Sequence, residues 1–185
     1  MTRNKMETMT VGGGCFWCVA AVFEEIEGVN DVIAGFAGGA LDFPNYTKVC
    51  TGETGHAEVV RITYQPEKIS YSHLLEIFFG THDPTTINQQ GNDIGTQYRS
   101  IIFTHSDKQK KIAENLIAEL NEKKIFENKI VTEVHSLDLN KGFWPAKERH
   151  QNYFSKHPGQ TYCQIVVFPK VAKLRSKFAP YLKKQ

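Results

Sequence analysis

Thr8-Met9-Thr10-Val11-Gly12-Gly13-Gly14-Cys15-Phe16-Trp17-Cys18-Val19-Ala20-Ala21-Val22-Phe23 is the stretch from which the fold is read. Its first four residues suit a short buried strand. Beyond Cys15, the residues Val19, Val22, Phe23 and Ile26 recur at the i, i+3, i+4, i+7 spacing of one helix face. Gly28 stands where a glycine after the last turn would stop that helix. The glycines between allow a sharp turn and a close approach to the backbone. Cys15 therefore falls at a helix N-terminus, where free N–H groups and the positive dipole end favour thiolate over thiol. The same order describes a phosphate-binding loop. Here no Lys-Ser or Lys-Thr pair follows the glycines and Cys18 breaks the G-x-G-x-x-G spacing, so nucleotide binding is set aside.

Working outward, Val29 to Ala37 reads as a strand, and Gly38-Gly39 opens a first long polar loop. Residues 56–64 alternate, with Ala57, Val59, Arg61 and Thr63 on one side and Glu58, Val60, Ile62 and Tyr64 on the other; Pro66 ends the strand. Residues 70–79 place Tyr71, Leu74, Leu75 and Phe78 on one helical face, with Gly80 as its stop. A second polar loop, 81–97, precedes a strand at 100–103. Ser106 and Gln109 form a capping-box pair before a helix whose apolar face is Ala113, Leu116, Ile117 and Leu120. Strands are expected at 130–134 and 162–168, and a final helix carries Val171, Leu174 and Phe178 on its buried face. The first six elements run β-α-β-β-α-β, the split βαβ order of a ferredoxin-like α/β plait. The expected class is α+β, with loop-rich additions and a C-terminal strand and helix. One catalytic domain is expected over 1–185, its core at about 8–165 and a C-terminal extension at 166–185.

With 185 residues, 41% apolar and 23% charged, the chain can bury an ordinary core. A formal net charge of +2 points to neither a nucleic-acid nor a membrane partner, and the late lysines read as the solvated face of the last helix. Residues 1–10 lack the apolar segment of a secretory leader, and the apolar run 15–23 is too short to span a bilayer. Four cysteines, two of them in Cys-x-x-Cys, do not resemble a secreted disulfide framework. A reducing cytoplasm is the expected compartment, where paired thiols mean redox work or metal.

A nucleophilic thiol needs an acid or base and a binding surface. Phe16 and Trp17 are either ordinary core aromatics or the floor of a small apolar pocket. Glu58 shares a strand side with Val60 and Ile62; burial there would raise its pKa from about 4.3 and make it an acid near neutrality. Tyr46 and Tyr98, on the two long loops, offer phenolic hydrogen bonds. Asp93 either orients a neighbour or only forms a turn. Zinc lacks a second ligand pair, because Cys50 and Cys163 are isolated and His150 and His157 stand seven apart. A zinc-binding module and a Cys-x-x-Cys thiol–disulfide oxidoreductase remain the alternatives.

Gly14-Cys15-Phe16-Trp17-Cys18, Thr54-Gly55-His56-Ala57-Glu58 and Gly91-Asn92-Asp93-Ile94-Gly95-Thr96-Gln97-Tyr98-Arg99-Ser100 together resemble the A-type peptide methionine sulfoxide reductases. Pro44-Asn45-Tyr46, 81–85 and His150-Gln151 extend the likeness over roughly 8–165. The resemblance implies reduction of the S epimer of methionine sulfoxide, free or in oxidised proteins. It implies Cys15 as nucleophile, Glu58 as the acid at the departing oxygen, Tyr46 and Tyr98 as its hydrogen-bond donors, Phe16 and Trp17 around the substrate methyl, and Asp93 as a shaping residue. It also implies no metal or organic cofactor, thioredoxin or another dithiol as reductant, and a monomer. Ala20, Phe36 and Lys147 depart from the family pattern, where Glu, Tyr and Glu respectively are common.

Two thiols compete to resolve the sulfenic acid. Cys18 lies three residues from Cys15, as in members sharing this five-residue motif, and is favoured. Cys163 matches the family's other resolving position and is the alternative; the strand expected around it would restrict its movement.

Overall fold

The computed structural model describes residues 5–138 and 140–184. Its main sheet has six strands in the order β7-β6-β1-β3-β2-β8. These are β1 (Glu7–Gly12), β2 (Val29–Ala37), β3 (Ala57–Tyr64), β6 (Ile101–Thr104), β7 (Glu133–Ser136) and β8 (Phe143–Pro145). Two-residue strands β4 (Gln89–Gln90) and β5 (Asp93–Ile94) form a separate hairpin. The inner four strands are mutually antiparallel. Helices α1 (Phe16–Glu24) and α3 (Tyr71–Thr81) make the crossovers that give the order β6-β1-β3-β2 of a ferredoxin-like plait. The remaining helices are α2 (Tyr46–Val49), α4 (Asp107–Glu122), α5 (Tyr153–Lys156) and α6 (Phe168–Lys177).

The alternation in β3 decides what each sheet face does. Val60, Ile62 and Tyr64 join Met9, Val11 and the apolar residues of α1, α3 and α6 in the main core. Ala57 and Val59 meet Ile101 and Phe103 in a smaller cluster on the opposite face. Glu58 has the parity of the main core, and its pair in the ladder is Phe36.

Several boundaries differ from the expectation. Helix α1 stops at Glu24, because Ile26 bridges to Leu182 and Gly28, at φ +90, belongs to the turn into β2. Gly80 does not stop α3. It lies inside the helix, and a Cβ there would sit 2.5 Å from the Phe178 ring, so the glycine lets the C-terminal segment dock. Ser106 caps α4 by accepting the Gln109 N–H at 3.2 Å, but the reciprocal arm goes to the His105 N–H instead. Residues 130–132 do not enter the sheet: the Ile130 N–H donates to Asn121 Oδ1 and the Val131 N–H to the Pro84 carbonyl, so pairing begins at Glu133.

The largest correction concerns 162–168. The β-branched run predicts a strand, yet Cys163–Val167 is a π-helical turn leading into α6. Cys163, Val167, Val171 and Leu174 are fully buried, while Ile165 and Phe168 are exposed. Burial thus follows the helical period, and tertiary packing overrides β propensity. The C-terminal addition is therefore helical, and its apolar face completes the main core against α1 and α3.

Candidate active site

Cys15 caps α1 with extended backbone (φ −59°, ψ 130°) and no side-chain capping bond. The glycines before it meet close neighbours. A Cβ on Gly12 would lie 2.5 Å from the Glu58 carbonyl oxygen, and Gly14, at φ +92, lies against Gln90. The Gly14 N–H donates to the Tyr98 carbonyl at 3.1 Å, which ties the turn to the second long loop.

The N-terminus of α1 is not left to the thiol. The Phe16 N–H donates to Glu58 Oε2 at 3.0 Å across the sheet-to-helix gap. Glu58 is 1% exposed, and its Oε1 is buried without a partner. Burial drives its pKa up to about 8 against the lowering by the Phe16 N–H. The carboxyl is then neutral at pH 7. With Oε2 acting as acceptor, the proton belongs on Oε1.

Burial also raises the Cys15 thiol, the neighbouring Cys18 adds to the effect, and Glu58 adds further once it ionises above about pH 8. The expected thiolate at the helix start is therefore not the favoured form: desolvation, with Cys18 adding to it, outweighs the dipole. Cys18 is lowered. Its hydrogen bond from Cys15 contributes most, burial opposes it, and the Lys170 ammonium helps. Of the two thiols, Cys18 is therefore the one on which negative charge is favoured.

Tyr46 opens the short helix α2, whose Asn45 cap accepts the Lys48 N–H at 3.0 Å. Burial raises Tyr46, with Cys50 and Glu58 adding; burial and Glu58 do the same to Tyr98. Both phenols remain proton donors beside the Glu58 carboxyl. Cys50 is exposed, and its backbone N–H donates to the Tyr46 carbonyl at 2.9 Å, so it lies at this site's edge.

Phe16 is fully buried, with ring centroids of Phe36, His150 and Tyr46 at 5.6, 5.6 and 6.2 Å. Trp17 stacks on Tyr153 at 3.7 Å and packs edge-on to Tyr162. Asp93 Oδ2 accepts the Tyr162 hydroxyl at 2.7 Å, and Tyr162 Oη lies 3.8 Å from Cys18 Sγ. Cys163 is buried in the π-helical turn near enough to Cys18 for that charge to raise it, burial being the larger cause. The structure thus gathers Cys15, Cys18, Glu58, Tyr46, Tyr98, Phe16, Trp17 and Asp93, with Cys163 beyond Cys18.

Sequence reasoning assigned no role to Tyr162, His150, Tyr153 or Lys170. His150-Gln151 stood inside a quoted motif and Tyr162 beside Cys163, so proximity was the available signal. Lys170 had none, because the basic run reads as a solvated face. Among the described residues, no group of three or more His, Cys, Asp or Glu could hold a metal ion, and no helix is long and apolar enough to cross a membrane.

A family model described as peptide methionine sulfoxide reductase matches residues 7–182. The peptide methionine sulfoxide reductase MsrA of Polynucleobacter asymbioticus is 54% identical over 173 residues, covering 94% of this chain and 90% of that protein. Its counterpart in Haloquadratum walsbyi is 54% identical over 95% of this chain and 98% of its own. Among solved structures, reduced Mxr1 from Saccharomyces cerevisiae superposes with a TM-score of 0.76 at 36% identity, covering 86% of this chain and 90% of Mxr1. Mxr1 has also been solved in complex with Trx2, and that form matches 80% of this chain and 85% of its own at 27% identity, with a TM-score of 0.54. The likeness runs through the sheet, the glycine turn and the thiol-bearing helix alike, and the chain belongs to the peptide methionine sulfoxide reductase family.

Proposed function

We propose that this chain reduces the S epimer of methionine sulfoxide to methionine with Cys15 as nucleophile and Glu58 as acid. The observation that carries the reading is a buried carboxyl, neutral at pH 7, set at the helix N-terminus beside a thiol. Sulfoxide oxygen is a poor leaving group until protonated, so a neutral acid there supplies what the reaction lacks. Cys15 attacks the sulfoxide sulfur while Glu58 gives its proton to the oxygen, aided by hydrogen bonds from Tyr46 and Tyr98. The Cys15 thiol proton returns to Glu58. The oxygen ends on the Cys15 sulfur, which gives up two electrons, and methionine departs. Phe16 and Trp17 shape the pocket for the substrate methyl, and Asp93 acts through Tyr162.

Cys18 then attacks the sulfenic sulfur, water leaves and a Cys15–Cys18 disulfide remains. The lowered Cys18 thiol, three residues from Cys15 at the same helix start, supports Cys18 as the resolving residue. Cys163, buried in the π-helical turn, is the alternative resolving thiol. An external dithiol of the thioredoxin class returns the enzyme to its reduced form, a reading supported by the Mxr1–Trx2 complex. Thiols carry every electron, so the sequence of steps calls for no metal or organic cofactor. Residues from 15 to 170 converge on the site, which supports one catalytic domain; the proposed compartment is a reducing cytoplasm, which keeps such thiols free.

The test is an assay on the separated S and R epimers with a dithiol reductant. Methionine is expected from the S epimer alone. Equal turnover of both epimers, or of neither, would overturn the reading.

A further inference from the structure

Beside the aromatic cluster runs a groove of about 390 Å³, which opens from the ring of Tyr46 and passes Phe36 and His150. Lys48, Lys147 and Arg149 line it, all exposed, and no carboxylate does. The nearest acid in sequence, Glu148, accepts from Lys156 Nζ at 2.9 Å and is directed to α5 instead. None of the three groove cations has an ion-pair partner among the described residues. The chain as a whole carries only +2, so this concentration of positive charge is local.

Next to the groove, Phe43 is 80% exposed and stands at φ +53, a backbone conformation that costs energy for an aromatic residue. Its ring packs 4.6 Å from Trp144, and the following Pro44 and Pro145 line the groove itself. An apolar shelf and a row of unpaired cations thus flank one path that ends at Tyr46. A polypeptide carrying the sulfoxide offers such a path flanking residues that free methionine sulfoxide lacks.

Building on the methionine sulfoxide reductase reading, we propose that this groove seats the polypeptide flanking the oxidised methionine and selects segments with aspartate or glutamate beside it. Lys147 is the specificity-determining residue, because it lines the groove and comes just after Trp144 and Pro145 of the aromatic shelf in the chain. Attraction in this exposed groove acts mainly on encounter and weakens with salt.

The test compares two peptides of equal length carrying the S sulfoxide, one with glutamates and one with lysines at flanking positions, alongside free methionine S-sulfoxide. For the unmodified chain, the kcat/KM ratio of acidic over basic peptide should be about three- to fivefold at low salt and fall toward one at high salt. In Lys147→Glu the ratio should drop to one or invert. Peptides reduced with a ratio of one, or a ratio that Lys147→Glu leaves unchanged, would overturn this inference alone. Failure to reduce any of the three substrates would instead overturn the enzymatic reading on which it rests.

Discussion

Glu58 Oε2 accepts the backbone N–H of Phe16 at 3.0 Å, so a carboxyl group holds the N-terminus of the helix that begins beside the Cys15 thiol. A charged capping carboxylate would ordinarily be stabilised there. Burial on the core-facing side of β3 outweighs the dipole and leaves the group protonated near neutrality. The helix end positions the acid, and the low-polarity surroundings keep its proton.

Glu58→Gln keeps the acceptor for the Phe16 N–H but removes the proton. The variant should fold normally and lose about 10²–10⁴-fold in the rate of sulfoxide reduction. In the unmodified chain the single-turnover rate should fall as pH rises through about 8, because the acid is then lost. That descending limb should vanish from the residual rate of Glu58→Gln. A limb that persists in the variant would assign it to another group.

The same raised pKa links folding to pH. An unfolded Glu58 would lose its proton near the ordinary value of 4.5, whereas the folded chain holds it to about 8. The stabilisation from this bound proton is complete below about pH 4.5 and is lost as pH rises through about 8. Gln cannot ionise, so Glu58→Gln should match the parent chain in thermal melts near pH 4 and become the more stable protein by pH 9. The gap should be on the order of a few kcal/mol. Parallel melting curves at all pH values would contradict the burial argument.

For the thiols, Cys15→Ser should abolish reduction. Cys18→Ser should form one equivalent of methionine per chain and then stall with dithiol reductants of the thioredoxin class. Cys163→Ser should lose far less than that. Mass spectrometry after one turnover of the parent chain should find Cys15 and Cys18 linked. A Cys15–Cys163 link in that experiment would transfer the resolving role.

The plait was legible because its signals are local and repeated: the glycine turn, the alternation of β3 and the periodic faces of α1 and α3. The position of Glu58 followed from parity alone, since it shares a side with Val60 and Ile62. Where reading failed, a distant contact had replaced a local signal. Gly80 looks like a helix stop, but its missing side chain makes room for Phe178, 98 positions later in the chain. Residues 162–168 have strand composition, yet their burial follows a helix packed on α1. The thiolate expected at Cys15 failed for the same reason, because packing of the whole core around the helix start buries the thiol and raises it, an effect that the local helix signal does not contain.

Lys170 gives the last case of a role set by packing. It lies on α6, lines the small cavity over Cys18 with His82 and Gly13, and brings its Nζ to 3.9 Å from where a Gly14 side chain would begin. Its charge is among the groups that hold Cys18 down to about 7, after the hydrogen bond from Cys15. Lys170→Met keeps the length and apolar stem while removing the ammonium. The Cys18 pKa should then rise, leaving less thiolate at pH 7 to attack the Cys15 sulfenic acid. Disulfide closure should slow roughly three- to tenfold at pH 7 and recover toward the parent rate at pH 9. Methionine release in the first turnover should change much less, because that step uses Cys15 and Glu58. Stopped-flow measurement of both steps across pH distinguishes this electrostatic role from loosened packing, which would slow closure equally at both pH values.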